Sequence, residues 1–159
     1  MKKALTLLIL VLIALVSKAI SPPASDIVVS DGKTYFCDKV IMGTASAKIY
    51  DASGEITKIP SQSVESFIKK GQVFVNLPVI TKTNDTVGMA FMQFISSRSG
   101  LQLFRYCSNC LKYDPVEGVI APINAVYRYY IFKGGRYFML LDEKDANTFL
   151  SFFGVTKIA

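Results

Sequence analysis

Cys107-Ser108-Asn109-Cys110 is the short pattern in this 159-residue chain that most invites a chemical reading. A redox pair of the thioredoxin kind needs its first cysteine at a helix N-terminus, where the thiolate is stabilised. Here the pair follows an apolar alternating run and precedes Leu111-Lys112-Tyr113-Asp114-Pro115, which cannot carry a helix far. Haem attachment needs histidine after the second cysteine, and Leu111 stands there. Residues i and i+3 of a turn lie within disulfide reach, so Cys107 and Cys110 are the disulfide candidate. A bridge from either of them to Cys37, and free thiols, are the alternatives.

The chain has no histidine, which removes the imidazole base of nucleophile pairs and the commonest metal ligand. No metal site and no cofactor is expected. Asp142, Glu143 and Asp145 form the densest carboxylate cluster, and its position at a helix start is explained by capping and solvation. An aromatic group carries more interest. Tyr127, Tyr129, Tyr130, Phe132, Tyr137 and Phe138, with Arg128 and Arg136, could form a platform for a sugar or a peptide. Tyr127, Tyr129, Tyr137, Arg128 and Arg136 are therefore the candidate binding residues. The competing role is structural, with one sheet face packed under a helix and tyrosines edging the other.

The elements that must position these residues are mostly strands. Asp31-Gly32 is a turn signal between Ile27-Val28-Val29 and an alternating run from Lys33 to Val40. Ser53-Gly54 closes a second hairpin, from Ala45–Asp51 onto Glu55–Ile59. Pro60-Ser61-Gln62-Ser63 resembles a helix start, and Val64, Phe67 and Ile68 at spacings of three and four predict a short helical turn ended by Gly71. Gln72 to Ile80 returns to strand. Ala90–Ile95 and Leu101–Tyr106 are predicted strands around a turn at Ser96 to Gly100. Leu111 to Asn124 is a long irregular connection. Val126–Lys133 and Arg136–Leu141 flank Gly134-Gly135, the strongest hairpin signal in the chain. At the C-terminus Asp142 caps a predicted helix whose Ala146, Phe149, Leu150 and Phe153 form one apolar stripe, ended by Gly154. The expected fold is mainly β, or α+β in a looser scheme. Antiparallel hairpins form a twisted sheet or partial barrel, covered by one short C-terminal helix.

The N-terminus has the form of a secretory signal. Met1-Lys2-Lys3 is followed by a run from Ala4 to Val16, apolar apart from Thr6, too short for a bilayer of roughly 30 Å. Ser17-Lys18-Ala19 then places small residues where a signal peptidase needs them. Residues 1–19 are the expected signal peptide, 20–25 a disordered leader, and 26–159 a single β-rich domain. With Lys2, Lys3 and Lys18 removed, fifteen basic residues face twelve acidic ones. The charges are spread along the chain, so nucleic acid is not an expected partner.

Several stretches share a cadence: Ser30-Asp31-Gly32-Lys33 through Ile49-Tyr50-Asp51, Ile56-Thr57-Lys58-Ile59-Pro60, Val64-Glu65-Ser66-Phe67, and Gly71-Gln72-Val73-Phe74-Val75. Phe91-Met92-Gln93-Phe94, Gly100 to Tyr106, and Tyr129-Tyr130-Ile131-Phe132-Lys133-Gly134-Gly135 continue it. The chain resembles a diffuse group of exported, functionally uncharacterised, mostly-β proteins of Gram-negative bacteria. That resemblance implies a secreted β fold in the periplasm, on the outer surface or in the medium, and transfers no active site. The expected role is a non-catalytic interaction or structural module meeting an envelope protein, a glycan or a peptide. No transmembrane anchor is expected after cleavage.

Overall fold

The computed structural model describes residues 26–43, 45–81, 83–108, 113–114, 118–119, 126–140 and 150–153. The expected signal peptide and leader lie outside them. So do Cys110, Asp142, Glu143, Asp145, Ala146, Phe149 and Gly154.

Thirteen strands are present among the described residues. They are β1 (Asp26–Ser30), β2 (Lys33–Cys37), β3 (Lys39–Met42), β4 (Ser46–Tyr50), β5 (Ile56–Pro60), β6 (Val64–Lys69) and β7 (Gln72–Ile80). There follow β8 (Thr86–Arg98), β9 (Leu101–Cys107), β10 (Tyr113–Asp114), β11 (Gly118–Val119), β12 (Tyr127–Lys133) and β13 (Arg136–Leu140). The protein is mainly β and its sheets are antiparallel. Eight strands form one large sheet in the order β13-β12-β9-β8-β7-β6-β1-β2, and β3-β4-β5 form a second; β10 and β11 pair with each other. The large sheet does not close into a barrel.

The two sheets part at Asp38. Cys37 still pairs with Asp26 in the large sheet, while Lys39 already pairs with Tyr50 in the small one. The run from Lys33 to Val40, expected as one strand, is thus two strands in two sheets. Such a corner leaves backbone groups without ladder partners inside the protein, where each would cost about 1–3 kcal/mol unsatisfied. Side chains supply the partners. The Asp26 carboxylate accepts the Val40 N–H at 2.8 Å and the Lys70 N–H at 3.3 Å, and the Lys69 ammonium donates to the Val40 carbonyl at 3.1 Å. Asp26 and Lys69 are both buried.

One face of the large sheet is covered at two places. Over β1, β6 and β7, Val28, Phe67 and Phe74 pack against Val40, Met42, Ala47, Ile49 and Ile59 of the small sheet. Phe67 stacks on Phe74 with centroids 4.8 Å apart and meets Phe91 edge-on. Farther along, Leu103 and Ile131 are covered by Leu150 and Phe153 from a helical turn at 150–152. These two residues of the predicted C-terminal stripe do face the sheet. Arg98 holds that turn, its guanidinium lying 4.9 Å from the Phe152 ring and donating to the Phe152 carbonyl.

The other face is concave. Val29, Val75, Leu77, Met92, Phe104 and Tyr130 form its core. Adjacent strands lie about 4.8 Å apart, so three steps across a flat sheet span about 14 Å, more than a tyrosine reaches. Yet the Tyr137 hydroxyl on β13 donates to Met92 Sδ on β8 at 2.7 Å, three strands away. The Tyr130 hydroxyl on β12 likewise lies 3.5 Å from the Ile80 carbonyl on β7. The sheet must therefore curl about this face.

Two expected local structures differ. The helical turn at Val64–Lys69 is strand β6, preceded only by a short 3-10 turn at Ser61–Ser63. The reason is a bulge: Val29 opposes Ser66 while Ser30 opposes Val64, so Glu65 is an extra residue. It brings Val64 and Phe67, three apart, onto one face and so counterfeits a helical period. Lys70-Gly71 is the two-residue turn of a hairpin, with φ of 50° and 75°. Likewise, the expected turn at Ser96 to Gly100 shrinks to Ser99-Gly100, and Ser96, Ser97 and Arg98 continue β8 opposite Leu103, Gln102 and Leu101. Their polarity reflects a strand end near solvent.

The aromatic core sets a clear contrast in stability. Phe67 is fully buried, and its replacement by alanine should cost about 3–5 kcal/mol of a typical 5–15. Phe36, on edge strand β2, is 71% exposed, and Phe36→Ala should stay within about 0.5 kcal/mol. Urea melts of the two variants check this, and equal shifts would contradict it.

Candidate functional site

Directly opposed residues of an antiparallel sheet share a face. One row can therefore be followed through the registers across the large sheet: Val28, Phe67, Phe74, Gln93, Arg105, Tyr129. Its first half is the buried core under the small sheet. Its second half emerges where that cover ends, and there it turns polar.

Gln93, Arg105, Tyr127 and Tyr129 are all half-buried on this face. Arg105 donates from Nη2 to Gln93 Oε1 at 2.6 Å, and its guanidinium carbon sits 4.6 Å from the Tyr127 ring centroid. A charge-assisted hydrogen bond and a cation–π contact together fix the guanidinium. Tyr129 has its ring against the Leu103, Ile131, Leu150 and Phe153 cluster. The result is a ledge carried on three rigid strands. It offers a flat ring, a guanidinium with donors beyond the one used on Gln93, and a phenol. Such a surface suits a ligand with planar or ring-shaped apolar parts bearing hydroxyl or carboxylate acceptors.

The five expected binding residues do not share this face. Tyr127, Tyr129 and Arg136 lie on it, Arg136 through its pairing with Lys133. Arg128 and Tyr137 lie on the concave side, because Arg128 opposes Tyr106 and Tyr137 opposes Phe132. Tyr137 is a packing residue: it stacks on Tyr130 with centroids 5.2 Å apart and planes 3° from parallel. Burial, then the neighbouring Tyr130, pushes its phenol far above the usual tyrosine range. Tyr130 is also raised by burial, with Arg128 opposing the shift through its charge and a side-chain hydrogen bond.

Arg105 and Gln93 were not among the expected site residues. The signal for Arg105 was present in Leu101, Leu103 and Arg105, a charged residue standing in the inward phase of an apolar alternation. Gln93 carried none, since its partner across the sheet is set by register alone.

Of the cysteines, Cys37 is free and buried. Its thiol donates to the Asp26 carbonyl at 3.3 Å. Burial, then the charges of Asp26 and Asp38, push it up to about 11, which keeps it an unreactive thiol. Cys107 ends β9, and its candidate partner Cys110 lies outside the described residues. Among the described residues no three Cys, Asp or Glu side chains gather as they would around a metal ion. Comparison of the chain with family models, with curated proteins and with solved structures gives no match.

The tyrosine pair generates a pH test. An unfolded tyrosine ionises near pH 10. Because folded Tyr137 keeps its proton above that point, its contribution to stability is complete below about pH 10 and is lost as pH rises beyond. Wild-type stability should therefore fall more steeply between pH 10 and pH 11.5, values set by about that unfolded pKa, than stability of Tyr137→Phe. Urea melts at pH 9 and above decide it. Parallel decline in both proteins would show that Tyr137 ionises normally.

Proposed function

We propose that this chain is an exported, non-catalytic module of the bacterial envelope or of secreted material, and that it works by binding. The observation that carries the binding half is the Gln93–Arg105–Tyr127 arrangement. A guanidinium held between an amide and an aromatic ring is an ordered surface that core packing does not require. With Tyr129 beside it, the ledge presents a ring face for stacking and directional donors for hydroxyl or carboxylate oxygens. A glycan fits that chemistry best, and an extended peptide with an acidic or amide side chain is the second ligand class.

Two features support the export half. The N-terminal sequence has the signal-peptide order of positive residues, apolar run and small residues before Ile20. A disulfide at Cys107, which we propose, suits an oxidising compartment. With Cys37 free, Cys110 is the partner we assign to it. A loop this short contributes about 2 kcal/mol in the chain-entropy model. It would close the turn that follows β9, whose last residue Cys107 opposes Tyr127.

Both halves are checked on one sample, the protein recovered from the periplasm of an expressing Gram-negative cell. Its intact mass should correspond to a chain beginning at Ile20 with one internal disulfide. Titrated with soluble cell-wall glycan fragments, its amide resonances should shift at Gln93, Arg105, Tyr127 and Tyr129. Arg105→Ala should weaken binding by at least about tenfold, the loss expected of one charged hydrogen bond. Shifts confined to other surfaces, or binding unchanged in Arg105→Ala, would sink the ledge as the site. Retention of residues 1–19 would sink the export reading.

A further inference from the structure

The small sheet turns one face onto the large sheet and the other outward. Alternate residues of a strand point to opposite faces. Val40, Met42, Ala47, Ile49 and Ile59 take the inward phase and cover the Phe67–Phe74 core. The outward phase reads across the sheet as two register rows, Lys39–Tyr50–Ile56 and Ile41–Lys48–Lys58. The three lysines are exposed, Ile41 and Tyr50 are half-buried, and Ile56 has 48% of its surface exposed. The Lys39 ammonium lies 5.9 Å from the Tyr50 ring centroid.

Charge is sorted between the two faces. The acids of this region, Asp38, Asp51 and Glu55, stand just past the strand ends and fall in the inward phase of the same alternation. Asp51 is also committed to its own turn, accepting from the Ser53 N–H, the Ser53 hydroxyl and the Glu55 N–H. Edge protection explains Lys39 and Lys58, which stand on the outer strands β3 and β5. It does not explain Lys48. β4 is the central strand, and Lys48 stands directly opposite Lys58. Like charges so placed, with Cβ atoms about 4.5–5.5 Å apart, are destabilising. Their cost is offset when an anion lies over both.

We propose that this outward face docks on a bilayer surface bearing anionic phospholipid headgroups. A lysine ammonium is a compact charge on a flexible stem, which suits phosphodiesters spread over a surface. The apolar half of the face selects a bilayer over a soluble acidic polymer. Ile41, Tyr50 and Ile56 stand among the lysines. With the ammoniums at headgroup level, these side chains reach the acyl boundary, as the apolar residues of interfacial segments do. A soluble polyanion would leave them in water. The face does not rest on the ligand reading of the ledge, which lies on the large sheet. Variants of one preparation share the same N-terminus, so their comparison also reads the face apart from the export reading.

The test is co-sedimentation of the protein recovered from the periplasm with vesicles of phosphatidylcholine alone or mixed with phosphatidylglycerol. Wild type should bind the anionic vesicles, less as salt rises, and leave the neutral ones. Lys48→Gln and Lys58→Gln should each weaken binding about fivefold, the loss expected of one lysine near an anionic surface. Lys133→Gln removes the same charge from β12 of the large sheet and should leave binding unchanged. Ile56→Ser should weaken docking on vesicles but not binding of soluble polyphosphate. All four positions are exposed, so the variants should fold, and thermal melts check it. Lys48→Gln, relieved of its repulsion, should melt no lower than wild type. Failure to bind anionic vesicles, equal binding to neutral ones, or an equal loss in Lys133→Gln would overturn the proposal. Polyphosphate binding with vesicle docking unchanged in Ile56→Ser would overturn it too, and would assign the face to a soluble acidic polymer.

Discussion

The Asp26 carboxylate is the constraint on which this architecture turns. A chain that leaves one sheet at Asp38 and enters another at Lys39 must satisfy the backbone of the corner without a ladder. Asp26 and Lys69 take hold of Val40 from its two sides, one at the N–H and one at the carbonyl. The Lys70 amide, opening the next hairpin, is tied to the same carboxylate. Three elements far apart in sequence therefore meet at two buried charged side chains. Their burial is costly unless each is hydrogen-bonded, and here each has backbone partners. The small sheet can then sit on the Phe67–Phe74 face rather than swing free.

What the corner places, the ledge inherits. The same register row that puts Phe67 and Phe74 beneath the small sheet puts Gln93 and Arg105 just beyond its rim. A polar pair in an otherwise apolar row is tolerable only where the cover stops, and the small sheet's width sets that limit. On the concave side the constraint is different. Tyr130 and Tyr137 span strands that a flat sheet would hold apart, so their burial and the curl require one another. The tyrosines thus fall into two groups, one on each face. Tyr127 and Tyr129 edge a surface, whereas Tyr130 and Tyr137 fill a core.

Much of the fold was legible because hairpin chemistry is local. Asp31-Gly32, Ser53-Gly54 and Gly134-Gly135 each marked a turn that the structure contains. Local patterns failed where a bulge changed the phase. Glu65 shifted Val64 into step with Phe67 and imitated a helix, although Lys70-Gly71 directly after it held the hairpin signal. The sheet switch at Asp38 was invisible because alternation continues unbroken from Tyr35 through Cys37 to Lys39. The candidate site was half legible. Aromatic density pointed to β12, but alternation within Tyr127-Arg128-Tyr129-Tyr130 already sends neighbours to opposite faces. A cluster in sequence is therefore two clusters in space. Arg105 and Gln93 joined it through register, which no single strand reveals.

Amide hydrogen exchange on Asp26→Ala tests the corner most directly. Removing the carboxylate takes from the Val40 and Lys70 amides the acceptor it gives them, which costs about 1–3 kcal/mol for a buried group such as the Val40 N–H. The account predicts that Ala47, Ile49 and Ile59 of the small sheet lose protection first. Leu103, Phe104 and Ile131, at the far end of the large sheet, should keep most of theirs. Protection unchanged throughout, or lost equally in both groups, would contradict the claim that Asp26 holds the second sheet to the first.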